Sequence, residues 1–338
     1  MFRRLIQLTL VVAVIGAIAV GWAVNHAGQM AAKPLVLTDS QTIILPRGGS
    51  LSRLLVDLQQ QSLLEERWPY RLYAWMEKQE QVVAGEFQIE VGDSFADLLQ
   101  KITRGEVLEY QIVFPEGLNF SEWLAVLSRS EVLLQSDSIT PADIAPQLDH
   151  VEGRLFPDTY YFHRGDSDLD ILRRAYQRMS EILDQEWQAR SVDLPLEDPY
   201  QVLILASIVE KETGVPAERA DIAGVFTRRL QKGMRLQSDP TVIYGLGDEY
   251  QGNLTRKHLR QSTPYNTYTE NGLPPTPIAM PGRGAIHAVL HPAEGSALYF
   301  VAKGDGSHHF SATLEEHLQA VREYQLKRKK NYRSSPAG

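Results

Sequence analysis

The sequence predicts an α+β chain that begins with a membrane-length helix and continues through a small strand–helix module into a larger region rich in helix. Three observations predict it. Residues 5–24 form an apolar stretch with Gln7 and Thr9 as its only polar interruptions. Between residues 44 and 127, β-rich leads turn at glycine into helically spaced apolar residues. From residue 167 onward the helical patterns lengthen and alternate with Pro- and Gly-rich loops. The chain has 338 residues, 43% hydrophobic and 22% charged, which suits a globular protein long enough for two domains. Its formal charge of −8 argues against a nucleic-acid binder, since phosphate contacts need a basic surface. There is no cysteine, so disulfides and thiolate metal sites are excluded.

The first element is LIQLTLVVAVIGAIAVGWAV, Leu5 to Val24, about 20 residues and therefore long enough to cross a bilayer. Arg3 and Arg4 precede it, and the positive-inside rule would keep residues 1–4 in the cytoplasm and send the rest outward. A cleaved signal peptide is the rival, but its apolar core is shorter and its cut site carries small residues. The spacing favours an uncleaved anchor, followed by a linker at 25–37. Lys327–Lys330 is the one basic run and reads as a solvated tail, as do residues 331–338.

Next come ILPRGGSLSRLLVDL (44–58), IEVGDSFADLLQKI (89–102) and VFPEGLNFSEWLAVL (113–127), three loose copies of one strand–turn–helix pattern. Ser50, Ser94 and Ser121 are the expected N-caps, because a hydroxyl there satisfies an orphan backbone N–H. Units of this size resemble the LysM module, a binder of cell-wall glycans, and residues 38–110 are assigned to such a module. Ordinary small α+β units without a ligand fit the same pattern. Residues 132–150 read as a short helix with loops. VEGRLFPDTYYF (151–162) reads either as a core-packing hairpin or as an aromatic wall of a saccharide groove. An amphipathic helix is expected over 167–190.

LASIVEKETG (205–214) carries a buried-looking helix into two glutamates. The pattern predicts a helix over 200–213, closed by a left-handed Gly214 with Pro216 beyond. At about 100° per residue, Glu210 and Glu212 point roughly 200° apart and cannot grip one bond together. Glu212 lies in the sector of Leu205, Ile208 and Val209, while Glu210 lies near the polar edge of Ser207 and Lys211. Burial and the negative end of the helix dipole both favour a protonated carboxyl, as a general acid requires. Glutamates merely salt-bridged to Lys211, Arg219 or Arg228 fit the spacing equally well. The loops RLQSDPTVIYGLG (235–247) and TPYNTYTENGLPPTPIAMPG (263–282) present amides, hydroxyls and phenols suited to a polar, uncharged ligand such as a sugar chain. No nucleotide-binding glycine motif occurs, and the scattered histidines, His308-His309 included, read as structural or exposed; no metal and no cofactor is expected.

ASIVEKETG, GMRLQSDPTVIYGLG, YNTYTENGLPPTPIAMPG and LYFVAKGDGSHHF closely resemble the endolytic murein transglycosylases, the YceG-like proteins. The likeness holds in order and spacing from about Val151 to Phe310. It implies a single-pass inner-membrane protein whose lysozyme-like catalytic region, here 111–330, faces the periplasm. There it cuts nascent peptidoglycan between N-acetylmuramic acid and N-acetylglucosamine, leaves 1,6-anhydro ends and acts as a terminase of glycan elongation. It further implies peptidoglycan-synthesising enzymes (penicillin-binding proteins) as partners, and Glu212, the second glutamate of Glu-Lys-Glu, as the catalytic residue. Gln237, Ser238, Asp239, Thr241, Asn266 and Tyr268 are the candidate groove residues; each can instead be a loop-stabilising hydrogen bonder. The rival readings are a non-catalytic wall-binding anchor and a lysozyme-type hydrolase.

Overall fold

Short strands and capped helices build the computed structural model, which describes residues 2–326. The basic run Lys327–Lys330 and the tail 331–338 lie outside the described residues. The chain folds as two units, Met1–Tyr110 with Tyr161–Asp166, and Gln111–Tyr160 with Ser167–Gly338.

In the first unit, α1 (Phe2–Ala32) is one uninterrupted helix. The stretch expected as a linker from residue 25 is therefore helical to Ala32, and the helix stops just ahead of Pro34, whose ring disfavours helix in the residue before it. Ala27 and Ala31 are buried, and these small side chains let α1 approach the helix Trp68–Met76; Trp22, His26 and Trp68 stack beside them. Upstream, α1 is apolar all round and unburied, which is compatible with a single-pass membrane anchor.

The module that follows pairs β1 (Gln41–Leu45) antiparallel to β2 (Gly85–Ile89), with Ile43 opposite Phe87. Helices α2 (Leu51–Gln60), α3 (Trp68–Met76) and α4 (Phe95–Arg104) share one apolar core with that ribbon, in which Leu54, Leu58, Phe87, Phe95 and Leu98 are fully buried. Each contributes about 1.5–3 kcal/mol of burial. Ser50 accepts from the Arg53 N–H, and Ser94 forms a capping box with Asp97, as their positions predict. Glu86 is buried on β2. Burial raises its pKa, but hydrogen bonds from Arg164 Nε (2.8 Å) and Tyr110 Oη (2.7 Å) outweigh this and hold it below the usual range. That ion pair gives residues 161–166 a partner within the first unit.

β3 (Glu109–Val113) pairs with β4 (Thr159–His163), and helices α5 (Phe120–Leu127) and α6 (Pro141–Ile144) lie between them in sequence. Asn119, not Ser121, caps α5. Its Oδ1 accepts from the Glu122 N–H at 2.9 Å, and Ser121 is already inside the helix, donating to the same oxygen. Residues 151–162 form no hairpin of their own: Phe156, Tyr160 and Phe162 are buried, and Gly153 sits at φ +75° where an added Cβ would lie 2.3 Å from Pro277.

The second unit is organised around α8 (Pro199–Glu212), buried continuously from Val202 to Val209. It is surrounded by α7 (Asp168–Gln188), α9 (Arg219–Gln231), α10 (Asp239–Leu246) and α11 (Arg283–Leu290). A helix without a polar stripe belongs at the centre of such a bundle. Its one interior hydroxyl, Ser207, donates to the Ile204 carbonyl (2.7 Å) and accepts from the Ile278 N–H (2.9 Å), fastening the Pro-rich loop to the helix. The described residues close with an antiparallel ribbon, β5 (Tyr299–Ala302) with β6 (His308–Ser311), then α12 (Leu314–Val321) and a helical turn over Arg322–Leu326.

Candidate active site

Helix α8 ends at Glu212 without a left-handed glycine. Thr213 turns extended (φ −143°, ψ 133°) and its hydroxyl accepts from the Val215 N–H at 2.9 Å, so Gly214 is not the cap the sequence suggests. The two glutamates do diverge. Glu210 takes Arg219 Nη2 on Oε1 at 3.0 Å and the Gly282 N–H on Oε2 at 3.0 Å, while the same guanidinium nitrogen reaches Glu116 at 2.9 Å. Burial nonetheless raises the Glu210 pKa. Lys211 Nζ points elsewhere, to the Gly117 carbonyl at 3.0 Å. Glu210 is thus a clasp between segments.

Glu212 is different. The residue is half-buried because it lines a cavity, while its carboxyl is enclosed by protein. Its pKa is pushed up to about 7, chiefly by burial. The Ser238 hydroxyl, donating to Oε1 at 2.5 Å, pulls the other way, the nearby Asp239 charge raises the value further, and Arg229 lowers it.

The cavity has a volume of about 710 Å³. Glu212, Gln237, Asp239, Pro240 and Tyr268 line it together with Tyr299, Phe300, His308, Leu314 and His317, with Arg229 among the lining groups. Gln237 has φ +51°, a left-handed conformation uncommon for a residue with a side chain, and its N–H bonds the Thr267 carbonyl at 3.1 Å. Tyr268 Oη donates to Asp239 at 2.6 Å, and burial raises the phenol's pKa. Ser238 is buried behind Glu212, and its N–H is held by Thr267 Oγ1 at 3.0 Å.

Three candidate groove residues do not line the cavity: Ser238, behind Glu212, and two more. Thr241 is fully buried, its hydroxyl bonded to the Ser238 carbonyl (2.7 Å) and to Thr267 Oγ1 (2.8 Å). Asn266 is also fully buried; its amide donates to the carbonyls of His258, Leu259 and Gln261 and accepts from the Tyr268 N–H. Both are loop staples whose polar atoms are already used.

A model described as the YceG-like family matches residues 43–323. The chain belongs to the YceG-like family. Among the similar proteins, the endolytic murein transglycosylase of Bacillus subtilis (strain 168) is 30% identical over 315 residues, covering 85% of this chain and 86% of that protein. The protein of the same name from Streptococcus pneumoniae serotype 2 (strain D39) is 25% identical over 322 residues, 84% of this chain and 58% of its own length. The crystal structure of a putative YceG-like protein from Listeria monocytogenes superposes with a TM-score of 0.51 at 28% identity, covering 83% of this chain and 99% of that one.

In this YceG-like chain, two of the lining residues have no counterpart among the expected site residues. Arg229 is 6% exposed; it donates from Nε to the Leu298 carbonyl at 2.7 Å and from Nη1 to the Leu236 carbonyl, and burial lowers its pKa. Arg229 is one of the pair Arg228-Arg229 in a segment that also holds Thr227 and Gln231, so no local pattern singles it out. His308 is buried with Nδ1 2.8 Å from Glu218 Oε2 and its N–H on Oε1 at 2.9 Å, an arrangement that fixes the imidazole's orientation. No local pattern links residue 308 to residue 218.

Proposed function

We propose that this chain is an endolytic murein transglycosylase that cleaves peptidoglycan glycan strands between N-acetylmuramic acid and N-acetylglucosamine through Glu212, leaving 1,6-anhydro ends. One observation carries the assignment: the carboxyl with a pKa raised to about 7 lines a cavity of about 710 Å³. A carboxyl so poised is protonated in an adequate fraction near neutral pH and serves as both acid and, afterwards, base.

In this reading Glu212 gives its proton to the glycosidic oxygen, and the muramyl N-acetyl group supports the positive charge growing at C1. The carboxylate then takes the proton of the C6 hydroxyl as that oxygen closes on C1. Because the nucleophile is part of the substrate, no water has to be positioned by a second carboxylate. Ser238 sets the orientation and acidity of the carboxyl, and Gln237, Asp239 and Tyr268 offer polar contacts to the sugar. The expected readout is a gain of anhydro-ended fragments, by mass spectrometry, when the full-length protein is incubated with peptidoglycan. Their absence would count against the proposal.

A lysozyme-type hydrolase is favoured by one observation, the second carboxylate in the cavity, Asp239. Product ends separate the two, since hydrolysis leaves reducing ends. The same residue yields a paired prediction. Ser238→Ala removes the hydrogen bond that lowers the Glu212 pKa, and Asp239→Asn removes the charge that raises it. The alkaline limb of the kcat/KM profile, expected near pH 7, should move up in the first variant and down in the second. Shifts in the same direction would contradict Glu212 as the proton donor.

The finer architecture belongs to the same proposal: residues 38–110 as a LysM-like glycan-binding module, 111–330 as the lysozyme-like catalytic region, and α1 as an inner-membrane anchor with its N-terminus in the cytoplasm. Peptidoglycan synthases are the proposed partners of a terminase acting on strands as they emerge.

A further inference from the structure

One cluster of ligating side chains in the second unit takes no part in the cavity. Glu186, near the end of α7, is buried, its side chain 8% exposed, whereas His287 on α11 is 59% exposed. Glu186 Oε2 lies 2.8 Å from His287 Nδ1, and one further potential ligand atom from His291 completes a set of three lying within 4.8 Å of one another. The spacing His287-x-x-x-His291 puts both imidazoles on one side of the last turn of α11 and its cap, and their ring centroids are 4.4 Å apart, tilted by 36°. His291 makes no hydrogen bond to Glu186 among the described contacts, so ion pairing alone does not account for its place in the cluster. Its Nδ1 is instead 3.3 Å from the Ser191 hydroxyl.

We infer that Glu186, His287 and His291 form a site for a divalent transition-metal ion of the zinc class. Two imidazoles and one carboxylate are a borderline donor set that suits Zn²⁺, Co²⁺ or Ni²⁺, while Mg²⁺ and Ca²⁺ demand oxygen ligands throughout. Three protein ligands leave a fourth position open to solvent, on the side where His287 is exposed. The outer contacts are those that orient ligands: Arg283 Nε holds Glu186 Oε1 at 2.7 Å and so turns Oε2 toward the imidazoles, and Ser191 steadies His291. The positive charge of Arg283 beside the site limits affinity. The ion would bridge the end of α7 to the end of α11, the helix that packs against α8. None of the three ligands lines the Glu212 cavity, so the site acts on stability and not on the reaction.

The test is a Co²⁺ titration of the untagged full-length protein in detergent micelles, followed by visible absorption, with Zn²⁺ as competitor and Mg²⁺ as control. The expected result is one equivalent of Co²⁺ with d–d bands, displaced by Zn²⁺ and untouched by Mg²⁺. His287→Ala and His291→Ala should each weaken binding at least about tenfold. Zn²⁺ should raise the thermal midpoint of the parent protein and not that of His287→Ala, whose exposed position makes misfolding an unsuitable explanation. No stoichiometric binding, unchanged affinity in both variants, or an equal thermal shift with and without His287 would show an ion-pair cluster only and overturn the proposal.

Discussion

Glu212→Gln is expected to fold, to lose glycan cleavage by at least about 10³-fold, and to become more stable than the parent protein above neutral pH. The loss follows because the amide neither donates the proton nor takes one back. The gain follows from linkage. Folding raises the carboxyl from 4.5 to about 7, so the folded state favours the protonated form. The stability this group contributes is full below pH 4.5 and is lost as pH rises through the folded value of about 7. At about 1.4 kcal/mol per pH unit, the deprotonated carboxyl costs at most about 3.5 kcal/mol above that window. Glutamine does not titrate, and the Ser238 hydroxyl can still donate to its amide oxygen. The stability difference should therefore be largest at pH 8 and shrink toward pH 4.5, read by denaturant unfolding at both. Glu152, buried and also raised to about 7, titrates alike in both proteins and cancels from the difference. A pH-independent difference would show that Glu212 does not titrate in this window. Retained cleavage would remove it from the mechanism.

Arg219→Ala should cost about 3–5 kcal/mol of stability. One guanidinium, with its side chain 15% exposed, holds Glu210 at 6% exposure and Glu116 at 42%. Deleting it leaves a buried carboxylate with a second acid nearby and only the Gly282 N–H as a partner. The surroundings are shaped for this clasp: a Cβ on Gly284 would lie 2.3 Å from Arg219 Nη1, and one on Gly282 would run into the Glu116 carboxylate. Adding Glu210→Gln to Arg219→Ala should recover part of the loss, because the unpaired charge goes with it. Unfolding free energies of the two variants check this, and a loss below about 1 kcal/mol for Arg219→Ala would mean that water, not arginine, compensates Glu210.

Much of the local structure was readable because it depends on near neighbours. The caps Ser50 and Ser94 follow from a hydroxyl placed ahead of helically spaced leucines, and α8 from an apolar run without glycine or proline. The choice of Ser121 over Asn119 failed because both can cap a helix leading into Trp123; the Asn119–Glu122 capping box was the deciding pattern. The divergence of Glu212 from Glu210 followed from helix geometry; that both carboxyls are buried, Glu210 on Arg219 and Glu212 on Ser238, did not. The roles of Thr241 and Asn266 did not, since a buried staple and an exposed sugar contact use the same amide and hydroxyl chemistry.

By itself the sequence determined where α2, α4, α7 and α8 run, that the first helix is apolar enough to cross a bilayer, and that the two glutamates at the end of α8 diverge. These depend on spacing within a few turns. The stretch 235–247 read as loop, where α10 forms. Only the tertiary structure decided what surrounds Glu212: Ser238 on its carboxyl, Asp239 and Tyr268 nearby, and residues of β5, β6 and α12 lining the same cavity. The physical reason is that proton affinity depends on burial and on charges brought together from distant parts of the chain, and those meetings exist only once the core has packed.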